Sequence, residues 1–116
     1  MGNTLKRVCV RNLRSGEVVG DNIVVAQSFW QKFKGLMGTQ LLKCGDGMLF
    51  PQTNSVHMFF MRYPLTVLYL SKNMTVLRHV TLKPWTIGPI VWRAHFVLEL
   101  PVGKFDIQEN DRLAIE

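Results

Sequence analysis

The chain has 116 residues, of which 47% are hydrophobic and 19% charged, and its formal net charge is +6. This balance excludes a disordered chain, and no apolar run approaches the roughly 20 residues that a membrane-spanning helix needs. We predict one domain over residues 1–116. The first twenty residues carry several basic side chains and no apolar stretch of signal-peptide length, so we expect a cytoplasmic protein.

The N-terminal residues predict a β-hairpin. Residues 8–10 and 23–25 are short runs of β-prone side chains. Between them lie Ser15-Gly16 and Gly20-Asp21-Asn22, which are typical of turns. We therefore expect these two runs to pair as antiparallel strands.

A short helix is predicted to begin at Ser28. Ser28 and Gln31 have the spacing of a capping box, in which each side chain bonds a free backbone N–H of the first turn. Apolar residues follow at helical spacing as far as Met37, and Gly38 suits the left-handed residue that often ends a helix. At about ten residues, this helix needs a sheet to pack against.

The rest of the chain reads as short strands separated by turns. Ser71-Lys72-Asn73 predicts a hairpin turn, and the prolines and glycine of residues 83–91 predict a loop that carries Trp85. The expected strands here are residues 47–50, 56–61, 65–70, 74–80, 94–100 and 113–115. The pattern predicts a mainly β (α+β) fold, a small rolled sheet or barrel of short, mostly antiparallel strands capped by one short helix.

Several apolar residues should be buried where the helix and the strands meet. They are Met37, Leu49, Met58 and Leu98. Trp85 should instead be at least partly exposed, because Pro84, Gly88 and Pro89 hold its loop away from the sheet.

Five sequence blocks occur in a fixed order. They are Gly35-Leu36-Met37, Gly47-Met48-Leu49-Phe50, His57-Met58 leading to Tyr63-Pro64-Leu65, Leu98-Glu99-Leu100-Pro101-Val102-Gly103, and Asn110-Asp111. Together they resemble the bacterial and archaeal family called domain of unknown function 192, over roughly residues 23–116. The resemblance implies a compact, mainly β domain with one helix, and it implies no established activity.

The chain departs from that family's pattern at two charged positions. Thr39 stands where the family often has Arg, and Thr66 stands where the family has Asp. Removing one charge of a buried pair would leave the other without a partner, which is costly. Loss of both charges together is therefore what a structural ion pair predicts.

A thiol-dependent hydrolase is the alternative function that the sequence leaves open. Cys44 lies beside the flexible Gly45-Asp46-Gly47 turn, where an exposed thiol could act as a nucleophile with His57 as its base. No sequence feature places that base within reach. We expect Cys9 and Cys44 to be two reduced thiols, as is usual in a cytoplasmic protein.

The histidines do not predict a metal centre. His57, His79 and His95 lie in strand-like runs, and no pair has the i, i+4 spacing of a helical metal site. His57 and His79 could face each other across neighbouring strands, but partly buried histidines bonded to the backbone are the interpretation we favour. We predict neither a metal nor a cofactor.

A non-catalytic binding or accessory module is the function that we favour. A Trp on a Pro/Gly loop is a good stacking surface, so we predict that Trp85 binds a small molecule or a partner protein together with His57, Arg62 and Tyr63. Weak nucleic-acid binding through the basic surface ranks third, because the Lys and Arg residues are scattered rather than clustered.

Overall fold

Seven strands form one curled sheet in the computed structural model, which describes residues 6–28 and 42–116. The strands are β1 (Lys6–Asn12), β2 (Val18–Val25), β3 (Asp46–Pro51), β4 (Leu65–Leu70), β5 (Val76–Leu82), β6 (Phe96–Pro101) and β7 (Leu113–Ile115). Their order across the sheet is β5-β4-β6-β3-β2-β1-β7. β2 and β3 pair in parallel, and all other neighbours pair antiparallel. The predicted mainly β fold is confirmed as a half-barrel.

Both predicted hairpins are present. β1 pairs with β2, and β4 pairs with β5. The second turn is fixed by Ser71, whose carbonyl oxygen accepts a hydrogen bond from the Met74 N–H at 2.9 Å, while its Oγ accepts one from the Thr75 N–H at 3.1 Å. Hydroxyl residues favour turns because they satisfy backbone groups that the strands leave unpaired.

Two expected elements are not found in the described structure. The expected strand 56–61 is wrong: only His57 makes a β-bridge there, to Ile87, and Phe60 takes a left-handed φ of 64° that a strand does not accommodate. The helix expected from Ser28 to Met37 lies, beyond Ser28, outside the described residues. Residues 6–28 and 42–116 contain no helix.

The two edge strands of the sheet approach each other at one end. Thr75, just before β5, forms a β-bridge with Arg112, just before β7. The Val76 N–H donates to the Asp111 carbonyl at 2.7 Å, and the Leu113 N–H donates to the Met74 carbonyl at 2.9 Å. The sheet is therefore closed at this end by backbone hydrogen bonds.

The concave face of the sheet holds a core to which every strand contributes. Its buried members are Val8, Val10, Val19, Ile23, Val25, Leu49, Leu68, Leu70, Val76, Leu98, Leu100, Ile107 and Leu113. Residues of both edge strands can meet in one cluster only on the inside of a curled sheet. We call this cluster the inner core.

A second cluster, the outer core, lies on the convex face over the central strands. It comprises Ala26, Met48, Phe50, Met58, Met61, Tyr63, Leu65, Val67, Tyr69, Ala94 and Val97. Five of these residues, at positions 26, 58, 61, 63 and 94, lie outside the strands. β4 is buried at every position because both of its faces are covered.

The predicted core residues that the structure describes are buried. Leu49 is 1% exposed, and Met58 and Leu98 are both 0% exposed. Met37 and Thr39 lie outside the described residues. Thr66 is 2% exposed, so a carboxylate at this position would be buried and would need a partner.

A buried acidic residue, Glu99, lies in the outer core. It is 5% exposed, between Met48 of β3 and Val67 of β4. Burial raises the pKa of its carboxyl group to about 8. Loss of water around the carboxyl is the largest cause of this shift.

A second buried carboxylate, Asp111, is fully bonded and joins the β1–β2 turn to the segment before β7. Its oxygens accept hydrogen bonds from Asn12 Nδ2 at 2.9 Å, Arg14 Nε at 2.7 Å and the Gln108 N–H at 2.8 Å. The hydrogen bond from Arg14 lowers the pKa of Asp111 far below its usual range. This carboxylate therefore stays ionised in the folded protein.

Candidate functional site

Two loops run side by side across the convex face of the sheet. We call residues 52–64 and 83–95 the cover loops. The Met58 N–H donates to the Thr86 carbonyl at 2.7 Å, the Trp85 N–H donates to the Met58 carbonyl at 2.7 Å, and the Gly88 N–H donates to the Val56 carbonyl at 2.9 Å. Further bonds join Val91 to Asn54 and Thr53 to His95. These bonds hold the loops in one arrangement without forming a regular strand pair.

The cover loops separate their apolar residues between the core and the surface. Met58 and Met61 point inward and are 0% and 5% exposed. Phe59, Phe60 and Trp85 point outward, and the last two are both 61% exposed. An exposed patch of large apolar side chains on an otherwise well-packed domain often marks an interaction site.

The outward rings form a connected group that we call the aromatic cluster: His57, Phe59, Phe60 and Trp85. The ring centroids are 5.1 Å apart for His57 and Phe59, 6.3 Å for Phe59 and Trp85, and 4.9 Å for Phe60 and Trp85. All three pairs are tilted, which is a favourable arrangement for aromatic rings. The cluster offers several ring faces and edges on one side of the molecule.

The backbone of the aromatic cluster is strained at two residues. Phe60 has φ of 64° and Trp85 has φ of 65°. The left-handed region is unfavourable for bulky side chains and costs on the order of 1–3 kcal/mol per residue. The hydrogen bond from the Trp85 N–H to the Met58 carbonyl helps to hold this conformation. Strain of this kind is concentrated at functional sites.

The structure brings together two of the four residues that we predicted as the ligand surface. Trp85 is exposed as expected. The ring of half-buried His57 lies beside that of Phe59, which in turn lies beside Trp85. The His57 Nδ1 accepts a hydrogen bond from the Phe59 N–H at 3.2 Å, which orients the imidazole. Arg62 is exposed two residues beyond Phe60. Tyr63 is 7% exposed and packs in the outer core.

Sequence reasoning missed Phe59 and Phe60, because it placed residues 56–61 in a strand. Alternation would have sent one of these adjacent rings to each face of a sheet. The available signal was the pair itself, followed closely by Arg62 and Pro64. An aromatic pair next to a proline fits a loop as well as a buried strand.

The sequence around the aromatic cluster contains no acidic residue. Between Asp46 and Glu99 the charged residues are all basic: Arg62, Lys72, Arg78, Lys83 and Arg93. Arg62, Lys83 and Arg93 belong to the cover loops and are exposed. The cover loops therefore combine apolar surface with positive charge, which favours a partner that is apolar and acidic.

Cys44 lies on a different surface. It is exposed beside a depression of about 270 Å³ that is lined by Glu17, Val18, Val19, Gly20, Asp21, Cys44, Gly45, Lys104 and Phe105. None of the three histidines lines this depression, and no described contact joins Cys44 to His57. In residues 6–28 and 42–116, the lining of this depression therefore brings no histidine to Cys44 as a base.

The histidines lie in separate places. His57 belongs to the aromatic cluster, His79 lies in β5 opposite Leu68, and His95 directly precedes β6. In the described part of the chain, no three His, Cys, Asp or Glu side chains are placed to hold a metal ion.

Over the same residues, no helix has the length and hydropathy needed to cross a lipid bilayer.

Two solved structures share this fold. A protein of unknown function from Novosphingobium aromaticivorans superposes with a TM-score of 0.79 at 22% identity, over 95% of this chain and 84% of the other. A chain from Sinorhizobium meliloti, whose name proposes a transcription regulator, superposes with a TM-score of 0.77 at 24% identity, over 99% of this chain and 96% of the other. At these identities, the similarity establishes the fold alone.

Sequence comparison identifies the family. A UPF0127 protein from Thermococcus sibiricus is 28% identical over 99 residues, which cover 82% of this chain and 64% of the relative. The chain therefore spans less than two thirds of that relative's length. The profile of domain of unknown function 192, described as Uncharacterized ACR, matches residues 10–115. The chain belongs to the domain of unknown function 192 family.

Proposed function

We propose that this protein is a non-catalytic binding module that engages a partner through the aromatic cluster. The observation that carries the proposal is the exposure of Phe60 and Trp85, each 61%, on loops that are fixed by hydrogen bonds. Burying such a side chain would stabilise the fold by about 1.5–3 kcal/mol. The protein instead keeps both rings in water on a strained backbone, which is expected of a surface used for binding.

The chemistry of the surface favours a polypeptide partner with apolar and acidic side chains. The rings of Phe60 and Trp85 are mostly exposed to water, so the aromatic cluster suits a surface or an extended segment better than a small molecule that must be surrounded. Arg62 and Lys83 lie nearby in the cover loops and add positive charge. The buried Tyr63 supports the loop from below, and half-buried His57 supports the ring of Phe59.

The thiol-hydrolase alternative, with Cys44 and His57, gains no support from the geometry, because the two side chains lie on separate surfaces.

Nucleic-acid binding remains the third candidate function. The aromatic cluster could stack bases, but the Lys and Arg residues are scattered along the sequence rather than grouped in a run that would follow a phosphate backbone. Binding to single-stranded DNA should therefore be weak and should disappear with added salt.

A cytoplasmic location is part of this proposal. Cys9 and Cys44 are both free, and Cys44 is exposed. An exposed free thiol suits a reducing compartment, where it stays unoxidised. Both cysteines should react with a thiol reagent when unreduced protein is denatured. Protection of both from the reagent would contradict this location.

The experiment is a selection from a phage-displayed library of random peptides on the folded protein. We expect enriched peptides that combine Asp or Glu with large apolar residues. Trp85→Ala and Phe60→Ala should each weaken their binding by about tenfold or more, as loss of a central aromatic contact does. Trp92→Ala is the matched control, because Trp92 is a more exposed Trp of the same cover loop that is not in the aromatic cluster.

Charge reversal at Lys83 tests the electrostatic part of the proposal. Lys83→Glu should weaken binding of the selected peptides, and the effect should shrink at high salt. The proposal is contradicted if no peptide is enriched, or if enriched peptides bind Trp85→Ala and the unchanged protein equally. Tight, sequence-selective binding of a single-stranded oligonucleotide at high salt would favour the nucleic-acid function instead.

A further inference from the structure

A second, chemically different depression lies where the cover loops meet the start of β6. It has a volume of about 430 Å³ and is lined by Gln52, Thr53, Asn54, Trp92, Ala94 and His95. Its volume falls within the range of about 300–1,000 Å³ that is usual for small-molecule sites. None of its residues belongs to the aromatic cluster.

The walls of this depression are held by backbone hydrogen bonds. The Thr53 N–H donates to the His95 carbonyl at 3.2 Å, and the Val91 N–H donates to the Asn54 carbonyl at 2.9 Å. The His95 N–H in turn donates to the Leu70 carbonyl in β4 at 2.8 Å. The lining is therefore fixed to the sheet before any ligand arrives.

The polar side chains of the lining remain available to a ligand. In the described part of the chain, no hydrogen bond uses the side-chain groups of Gln52, Asn54 or His95. The Thr53 hydroxyl donates to the Pro51 carbonyl at 2.9 Å, which leaves its oxygen able to accept. Gln52 is held at a left-handed φ of 54°, a conformation that is unusual for this residue type.

The lining contains no Asp, Glu, Lys or Arg, although the chain has a net charge of +6. Arg93 is next to Trp92 in sequence but is not among the lining residues. Amide side chains place a donor and an acceptor side by side, which matches neighbouring hydroxyl groups that can also donate and accept. The chemistry of this depression therefore suits a neutral ligand rich in hydroxyl groups.

Trp92 supplies an apolar contact surface in the same depression. It is 80% exposed, the highest fraction among the large hydrophobic residues described. An indole face is large, flat and apolar, and its N–H remains a donor at the edge. A pyranose ring presents C–H groups on one face and hydroxyl groups around its rim, so it can stack on Trp92 while its rim bonds the amides.

We propose that this depression is a binding site for neutral saccharides, with Trp92 as the stacking surface and Gln52, Asn54 and His95 as hydrogen-bonding groups. The site is separate from the aromatic cluster, so it does not depend on the peptide-binding function proposed above. A shallow site of this kind should bind weakly, with Kd on the order of 1 mM for a disaccharide.

The test is a titration of the ¹⁵N-labelled protein with maltose, cellobiose and the disaccharide of N-acetylglucosamine. We expect at least one of them to shift the indole N–H signal of Trp92 and the side-chain amide signals of Gln52 and Asn54. Trp92→Ala should weaken binding by about tenfold or more, and Trp92→Phe should restore part of it, because a smaller ring still stacks. Trp85→Ala is the matched control and should bind normally.

The competing results are distinct. Absence of saturable shifts with all three sugars, at concentrations well above that Kd, would overturn the proposal. Equal binding by Trp92→Ala with an unchanged unfolding midpoint would overturn it too. Adenosine monophosphate and a uronic-acid disaccharide complete the panel, and tighter binding of either would replace the neutral saccharide by an anionic ligand. Loss of sugar binding in Trp85→Ala alone would move the site to the aromatic cluster.

Discussion

The concave and convex faces of the sheet are covered in different ways. On the concave face, side chains from all seven strands pack against one another. On the convex face, the central strands are covered by two loops that contribute Met58, Met61, Tyr63 and Ala94. The first arrangement buries apolar side chains almost completely. The second buries one side of each loop and leaves Phe60, Trp85 and Trp92 in water.

This difference separates the residues that stabilise the sheet from the residues of the proposed binding surfaces. The inner core depends on strand register, so a change there disturbs several strands at once. The cover loops are fixed by a few backbone bonds, and their outer side chains carry little of the packing. Binding residues often lie on loops that a rigid scaffold positions, and the convex face has that arrangement.

Truncation of an inner-core residue should give the largest effect. Leu98→Ala removes a side chain that is 0% exposed in a central strand between β3 and β4. We expect a loss of about 4 kcal/mol, in the upper half of the range for such changes, because paired strands cannot move into the cavity. Denaturant unfolding measures this loss. A loss below about 1 kcal/mol would mean that the inner core is not the main source of stability.

The pH dependence of unfolding should report on the buried carboxyl of the convex face. Burial raises the pKa of Glu99 to about 8, whereas the unfolded chain has a pKa near 4.5. Between these values the folded protein holds a proton that the unfolded chain has released, so stability falls as pH rises. From pH 5 to pH 8 we expect a loss of roughly 3–4 kcal/mol, at 1.36 kcal/mol for each pH unit.

Glu99→Gln is the matched control for this dependence. The variant keeps the shape of the side chain and removes its titration, so its unfolding free energy should change much less over the same range. The contributions of all other groups are common to both proteins and cancel in the comparison. Asp111 acts in a different window: its pKa is lowered, so its contribution is lost only below about pH 4. Equal pH slopes for both proteins would contradict the raised pKa of Glu99.

Met58→Ala tests the outer core and should have a smaller effect than Leu98→Ala. Met58 is also 0% exposed, but it belongs to a cover loop that can settle partly into the space left behind. We expect a loss of about 2–3 kcal/mol in denaturant unfolding. Met58→Leu should cost less than about 1.5 kcal/mol, because it nearly conserves volume. A loss for Met58→Ala equal to that of Leu98→Ala would mean that the loops are as rigid as the strands.

Trp85 should give the smallest effect on stability. Trp85→Ala is expected to change the unfolding free energy by less than about 0.5 kcal/mol, because the ring is 61% exposed. The Trp85→Gly variant should be slightly more stable than the Trp85→Ala variant, since glycine adopts a φ of 65° without strain. If Trp85→Ala unfolds the protein as severely as Met58→Ala, Trp85 belongs to the core and the proposed binding surface loses its main residue.

The sequence predicted the strands well because their residues alternate or form short apolar runs between turn residues. This pattern predicted the two hairpins and the positions of β3, β4, β6 and β7. The apolar run at 56–61 was wrongly predicted to be a strand, because a loop that covers a sheet is apolar too. Periodicity does not distinguish a strand inside a sheet from a segment that lies on top of it.

The candidate sites were only partly predictable for a related reason. Trp85 could be recognised because the prolines and glycine around it are local signals. The partnership of Trp85 with Phe60, and of Gln52 with Trp92, depends on the pairing of two loops that are distant in sequence. The burial of Glu99 was hidden as well, because Glu99 looks like the solvent-facing position of an alternating strand until both faces are covered.

The junction between β5 and β7 has a consequence for self-association. An open sheet presents two rows of unpaired backbone groups, and either row can recruit a strand from another molecule. Here the backbone bonds between residues 74–76 and 111–113 occupy part of both rows. β7 has only three residues, so its outer edge is a short template. The contacts that complete the half-barrel therefore also help to keep one copy of the chain from extending the sheet of another.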